Sequence, residues 1–120
     1  MTADAAGVAR AAASATLAVP GVVGLQPSLG QSLAAAAGRV GHSRGSRPAA
    51  PAKGVHAERT PGSGAWRVEV RCVLDGEHRA LDTARRVRES VRSAVVSHTA
   101  RHGAAGPVTV LVTVTRITGR

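Results

Sequence analysis

The chain has 120 residues and carries 16 lysine and arginine residues against 7 aspartate and glutamate residues, a formal net charge of +9. This length allows one domain at most. No apolar run reaches the ~20 residues that a membrane-spanning helix requires. The single cysteine, Cys72, excludes an internal disulfide and points to a reducing compartment. Trp66 is the one aromatic residue, so the core must be built from valine, leucine and alanine.

The first predicted element is a helix from about residue 4 to residue 18, which Thr2 or Asp4 can cap. A proline-glycine pair then ends the helix, because proline biases the residue before it away from helical conformation. Residues 22–25 form a short β-like run. Residues 38–54 are rich in glycine, serine, proline and arginine. That composition buries too little apolar surface to offset its chain entropy, and it predicts a mobile basic loop.

The cations of this predicted loop have two interpretations. A charge run is by default a solvated surface, and the alternative is a flexible basic arm for nucleic acid or anionic lipid. The cations are Arg39, Arg44, Arg47 and Lys53. Two GxxG sequences, at 21–24 and 103–106, have the form of a nucleotide-clamping loop. We interpret both as chance matches, because their intervening residues are apolar or small.

The chain then reads as a short strand at 55–59, a turn-rich loop at 60–64 and a longer strand at 65–75. The longer strand alternates, and alternation is typical of a sheet that is covered on one side only. One face carries Trp66, Val68, Val70, Cys72 and Leu74, and the other carries Arg67, Glu69, Arg71 and Val73. Because Cys72 falls on the apolar face, we expect a buried structural thiol rather than a nucleophile.

A long amphipathic helix from 79 to 102 and a closing strand from 108 to 117 complete the chain. In the closing strand the valines of 108–114 point one way, and Thr109, Leu111, Thr113, Thr115 and Ile117 point the other. Strand, helix and strand in this order imply a right-handed crossover and a parallel pair, although the crossover leaves the strand order open. The predicted fold class is α+β, a small sheet of three to four strands with two helices packed on one face, in a single domain over residues 1–120.

Residues with catalytic or metal-binding chemistry form no recognisable constellation. The histidines have no zinc-type spacing to Cys72, and we expect them to be exposed residues at helix ends; they are His42, His56, His78, His98 and His102. No Ser/His/Asp order and no phosphate-binding glycine loop ending in Lys-Ser/Thr occurs in the sequence. We therefore expect no enzyme, no catalytic, cofactor-binding or metal residues, no cofactor and no small-molecule substrate.

A set of short features in a fixed order carries a family resemblance. The first helix runs into VPGVVGL at 19–25, and Gly54-Val55 opens a second strand. The alternating strand ends at a turn with Gly76, and the closing strand alternates valines. The long helix repeats its apolar residues at Ala84, Val87, Val91 and Val95. In this order the chain resembles the alkaline-shock-protein family, the Gls-type general stress proteins, in an actinobacterial-like form.

The resemblance implies a non-enzymatic envelope or general stress response protein. It implies a cytoplasmic protein that a membrane-anchored partner holds at the inner face of the membrane, and that also associates with itself. The chain departs from many relatives in its strongly basic charge and in its long, arginine-bearing middle segment. Both departures leave room for direct contact with anionic lipid or nucleic acid.

Two functional hypotheses follow. The first is an interaction or scaffold module that works through the polar sheet face or through an exposed sheet edge. Its face residues are Arg67, Glu69, Arg71, Thr109, Thr113 and Thr115. The alternative is a basic nucleic-acid-binding module, although the stacking aromatics of such modules are nearly absent. Its phosphate contacts would be Arg39, Arg44, Arg47, Lys53, Arg85, Arg88 and Arg92.

Overall fold

The computed structural model describes residues 4–27 and 53–119. These residues form two helices and one sheet of four strands, which confirms the predicted α+β class. The helices are α1 (Ala5–Leu17) and α2 (Ala80–Arg101), and the strands are β1 (Val22–Leu25), β2 (Val55–Arg59), β3 (Trp66–Asp75) and β4 (Val108–Thr118). The predicted bounds agree with these to within two residues. The predicted loop lies outside the described residues, except for its last two positions.

The sheet is organised around β3, which is paired on both edges. β4 runs parallel to β3 along its whole length, from Trp66 opposite Val108 to Asp75 opposite Thr118. This pairing confirms that the last strand is parallel to β3, as predicted, and shows that it lies directly beside β3. β1 and β2 are both antiparallel to β3 and share its other edge.

β1 and β2 are two halves of one edge strand. The Gln26 N–H donates to the Arg71 carbonyl oxygen over 2.9 Å, and the Arg71 N–H donates to the Gly54 carbonyl oxygen over 2.8 Å. In an antiparallel ladder, a single residue opposite Arg71 makes both of these bonds. The chain therefore leaves the sheet and returns to it opposite the same residue. A Cβ at Gly54, where φ is +76°, would lie 2.9 Å from the Leu25 Cβ, so this return requires glycine.

Both helices cover the same face of the sheet. The Asp4 carboxylate caps α1 by accepting a 2.7 Å hydrogen bond from the Gly7 N–H, as one of the two predicted caps. α2 buries one residue every four along its length: Thr83, Val87, Val91, Val95 and Thr99. The alternating apolar residues of β3 lie against these helices, each at most 2% exposed, and the predicted alternation is confirmed. Among them, Trp66 donates its indole N–H to the Ala104 carbonyl oxygen over 3.3 Å.

One irregularity in β4 changes which way its last residues face. Cys72 pairs with Val114, whereas the next residue, Val73, pairs with Arg116. Thr115 is the extra residue, and its hydroxyl donates to the Cys72 carbonyl oxygen over 3.3 Å. The extra residue resets the alternation, so that Ile117 lies opposite Leu74, on the helix side. The prediction that Ile117 shares a face with Thr109 is therefore wrong.

A deletion tests the split edge strand. A variant that lacks residues 26–53 joins Leu25 to Gly54, and Gly54 can then make both bonds to Arg71. We expect its free energy of unfolding, measured by urea titration, to equal or exceed that of the full chain, because the entropic cost of bringing the two strand halves together across a long segment disappears. The control lacks residues 27–53 and keeps one residue too many for the ladder. It should be the less stable of the two variants, and equal stabilities would contradict the common strand.

The buried indole hydrogen bond is tested by Trp66→Phe. This change leaves the Ala104 carbonyl oxygen without its donor, and we expect the free energy of unfolding to fall by about 1–3 kcal/mol. Trp66→Ala also removes the ring and should lower it by about 3–5 kcal/mol. Far-UV circular dichroism follows unfolding in both variants, since the only tryptophan is lost. A Trp66→Phe protein as stable as the wild type would show that this bond contributes nothing.

Candidate interaction surface on the open sheet face

The sheet face opposite the helices has no described element packed against it, and we call it the open face. Cross-strand pairing places its side chains, because residues opposite each other share a face. It carries His56, Glu58, Arg67, Glu69, Arg71, Val73, Thr109, Leu111, Thr113 and Arg116. Most of these residues are exposed, while Glu69 and Arg71 are half-buried and Val73 is buried. The face therefore combines charged, hydroxyl and apolar groups on a regular strand lattice.

The predicted face residues form cross-strand rows. Arg67 lies opposite Thr109, and Arg71 lies opposite Thr113. Between these rows, Glu69 lies opposite Leu111, a residue that the prediction did not include. The structure thus brings together all of the predicted face residues except one. Thr115 sits at the irregularity, where its hydroxyl bonds to the sheet backbone.

The cations of the open face differ in their partners. Arg67 and Glu69 form a 3.4 Å ion pair whose side chains are about half exposed, so water screens the attraction and its contribution is small. The Arg71 Nε is buried and has no hydrogen-bond partner among the described residues. A buried donor without an acceptor is unfavourable, and a carboxylate that reached it would form a charge-assisted hydrogen bond. Arg71 is therefore the residue of this face whose side chain has a buried donor that no described residue satisfies.

The predicted anion contacts that the structure describes lie on more than one element of the fold. Arg85, Arg88 and Arg92 are exposed on α2, in the helical layer, whereas Lys53 is exposed at the start of β2. The remaining three predicted contacts, Arg39, Arg44 and Arg47, lie outside the described residues. The described cations of this set thus belong to two different parts of the chain, α2 and the residues just before β2.

The outer edge of β4, which we call the β4 edge, has no strand beside it in the described part of the chain. The Trp66 N–H donates to the Pro107 carbonyl oxygen over 2.8 Å. This bond sets the phase of the parallel ladder, that is, which residues of β4 direct their backbone groups toward β3. In that phase Thr109, Leu111 and Thr113 turn their N–H and C=O groups toward β3. Val108, Val110, Val112 and Val114 turn theirs outward, to the open edge. Sequence reasoning expected an exposed edge without identifying the strand.

In the part of the chain that the structure describes, the cysteine and histidines form no cluster that could hold a metal ion. Cys72 is fully buried, and burial raises the pKa of its thiol, which disfavours the reactive thiolate. No group of three or more metal-ligating side chains occurs in residues 4–27 and 53–119. The expectation that the histidines are exposed is wrong for His98 and His102, which are half-buried and stack with ring centroids 4.3 Å apart. His98 packs against α1 at Gly7, where a Cβ would lie 3.1 Å from its Nε2.

Within the described ranges, no helix has the length and apolar character needed to cross a membrane. No protein-family model matches the chain, and no curated protein matches it. Among solved structures, a nickel form of a MamM CTD variant is 17% identical, covering 89% of this chain and 94% of that chain, with a TM-score of 0.42. A zinc form is 17% identical, covering 94% of this chain and 82% of that chain, with a TM-score of 0.43. We draw no inference about fold or function from similarity at this distance.

The contact between α1 and α2 predicts a pH-dependent stability. Burial lowers the pKa of His98, and the nearby charges of His102, Arg101 and Arg10 lower it further, while Asp4 opposes them. The unfolded chain therefore takes up a proton near pH ~6.5 that the folded state resists. Since the unfolded state then binds more protons, the free energy of unfolding should fall as the pH drops below about 6.5.

The test compares urea unfolding of His98→Asn and of the wild type between about pH 7 and pH 5. We expect the variant to lose part of the slope, because the titrating ring at the helix contact is absent. His56→Asn, at an exposed position on β2, serves as the control and should keep the slope. Identical slopes in the His98 variant and the wild type would contradict this account.

Proposed function

We propose that the chain is a non-enzymatic interaction or scaffold module whose working surface is the open face. The observation that carries this proposal is the buried, unpartnered Nε of Arg71 on a sheet face that no described element covers. Arg71 belongs to the central strand, whose backbone is held by hydrogen bonds on both edges. A binding group held in this way loses little conformational freedom when a ligand arrives.

The composition of the open face fits a protein partner. Arginine is enriched at protein interfaces, and the face adds an exposed leucine and threonine hydroxyls to its arginines. Arg67 and Arg71 sit four residues apart on β3, which spaces them roughly 13 Å apart along the strand. Two cations at that separation suit a partner surface that presents more than one carboxylate.

We further propose that this module serves an envelope or general stress response at the cytoplasmic face of the membrane. The support is the resemblance of its ordered elements to the alkaline-shock-protein family. A membrane-anchored protein is the proposed partner, and self-association is a second route to assembly. The net charge of +9 favours residence beside an anionic surface.

A basic nucleic-acid-binding module is the second candidate. The exposure of Arg85, Arg88 and Arg92 along one helix favours it, since such a row can contact successive phosphates. The burial of Trp66 weighs against it, because the only aromatic ring is 2% exposed and cannot stack on a base. The two candidates therefore assign the work to different layers of the molecule.

A pair of charge-reversal variants tests the assignment. Arg67→Glu combined with Arg71→Glu changes the open face, whereas Arg85→Glu combined with Arg88→Glu makes the same change on α2. Each protein is used for affinity purification from the host, with nuclease and at ~150 mM salt to screen weak surface charge. We expect the open-face variant to recover the principal partner at least ~10-fold less well, and the α2 variant to recover it normally.

Two outcomes would contradict the proposal. Recovery of the partner that does not change in the open-face variant would remove the working surface from the open face. Loss of all partners on nuclease treatment, together with sensitivity to the α2 variant, would favour the nucleic-acid-binding module. Thermal unfolding of both variants shows whether either change acts by unfolding the protein.

A further inference from the structure

We infer that the β4 edge binds an extended acidic segment of the protein partner as an additional strand. This inference rests on the proposed function, and it specifies how the partner is held and what its sequence must contain. It combines the outward backbone groups of β4 with the arginines of the open face beside it.

The backbone of β4 provides the first half of the argument. The opposite edge of the sheet is formed by β1 and β2, which have four and five residues and are interrupted between Gln26 and Gly54. β4 is the longer and uninterrupted edge, with 11 residues, and Val108 to Val114 have a regular ladder phase along it. Valine and threonine at these positions favour extended backbone. Addition of a strand would satisfy the outward N–H and C=O groups of this edge.

The side chains beside the edge provide the second half. An added strand lies ~4.8 Å from β4, and therefore roughly 10 Å from β3. Thr109 and Thr113, which are short, stand between that strand and the two arginines of β3 in their rows. A long arginine side chain can reach over a threonine to a carboxylate on the added strand. Arg67 and Arg71 thus bind the carboxylates of two acidic residues that lie four positions apart on the partner.

The cross-strand row between the two arginines, Glu69 opposite Leu111, selects a different kind of side chain on the added strand. Glu69 already binds Arg67, and its row ends at Leu111, which is 42% exposed. An apolar side chain on the added strand covers this leucine. Beyond the Arg71 row, Arg116 is exposed and lies on the same face through its pairing with Val73. The partner segment therefore has an acidic residue, an apolar residue two positions later and a second acidic residue two positions after that. A further acidic residue lies toward Arg116.

A second copy of this chain fits the edge poorly. The β4 sequence VTVLVTVTRIT contains no aspartate or glutamate, and its only charged residue is Arg116. Antiparallel pairing of two β4 strands would bring the arginines of both copies onto one face with no carboxylate from either β4 strand. The net charge of +9 adds general repulsion. Charge complementarity selects an acidic partner segment instead.

The side-chain test uses the full chain and a labelled peptide, Glu-Thr-Glu-Thr-Val-Thr-Glu-Thr-Glu, whose pattern reads the same in both directions. Binding is measured by fluorescence anisotropy at ~150 mM salt. We expect saturable binding that weakens at least ~10-fold when glutamine replaces every glutamate, or when Arg71→Gln is introduced. Arg85→Gln, on α2, is the matched control and should bind the peptide as the wild type does.

The backbone test leaves the protein unchanged. One version of the peptide is N-methylated at its threonines, and another is N-methylated at its glutamate and valine positions. Only one of these sets of N–H groups points at β4, so one version should lose binding and the other should keep it. Loss from the threonine version indicates an antiparallel added strand, and loss from the other version indicates a parallel one.

A protein variant tests the same contact from the β4 side. Val112→Pro removes an outward N–H but no hydrogen bond to β3, and an edge strand tolerates proline at such a position. Val112→Ala is the control for lost packing, because Val112 is half-buried against the core. We expect Val112→Pro to weaken peptide binding ~10-fold relative to Val112→Ala.

Several outcomes would overturn strand addition. One is a failure of the glutamate peptide to bind, and another is equal binding of both methylated versions. A third is a dimer of this chain that Val112→Pro dissociates. If single-stranded DNA competes with the peptide and Val112→Pro has no effect on binding, the surface binds polyanions in general. If capture of the host partner needs Arg67 and Arg71 but ignores Val112→Pro, the proposed function stands and strand addition fails.

Discussion

The double pairing of β3 is the constraint on which the rest of the structure depends. Each of the other described strands pairs with β3 and with no other, so the sheet exists only through it. Its alternation also separates the molecule into a dry layer and a polar layer. Trp66, Val68 and Val70 begin the row of side chains that both helices cover. The residues between them form the centre of the open face, where the same hydrogen bonds hold their backbone in place.

The sequence predicts the parts of this fold that have a local period. The alternation in β3 and the helical spacing in α2 each repeat several times, so their class and bounds were predictable. The split edge strand was not predictable, because Gln26 and Gly54 meet across a long intervening segment that contributes no local signal. The irregularity at Thr115 could not be predicted from the sequence either. Valine and threonine occupy both faces of β4, so an added residue produces no contrast in hydropathy.

The candidate site likewise has a part that the sequence predicts and a part that it does not. Alternation and cross-strand pairing placed Arg67, Glu69 and Arg71 on one face, and that placement needed only the period of a strand. The unpartnered Nε of Arg71 depends on what lies around it in three dimensions, and no sequence pattern encodes that absence. The predicted anion contacts had charge in common but no shared element. In the structure Lys53 accordingly lies just before β2, whereas the arginines lie on α2.

The open edge of β4 and the basic charge of the chain are best understood together. A long valine-threonine edge is a template for unwanted pairing, and many proteins protect such edges with charged side chains. Here the strand itself has one charged residue, Arg116, and the other nearby protection comes from arginines on the neighbouring strand. Positive charge in those positions disfavours pairing with a second copy, yet it favours an incoming strand that carries carboxylates. The same arginines can therefore prevent self-pairing and select the partner.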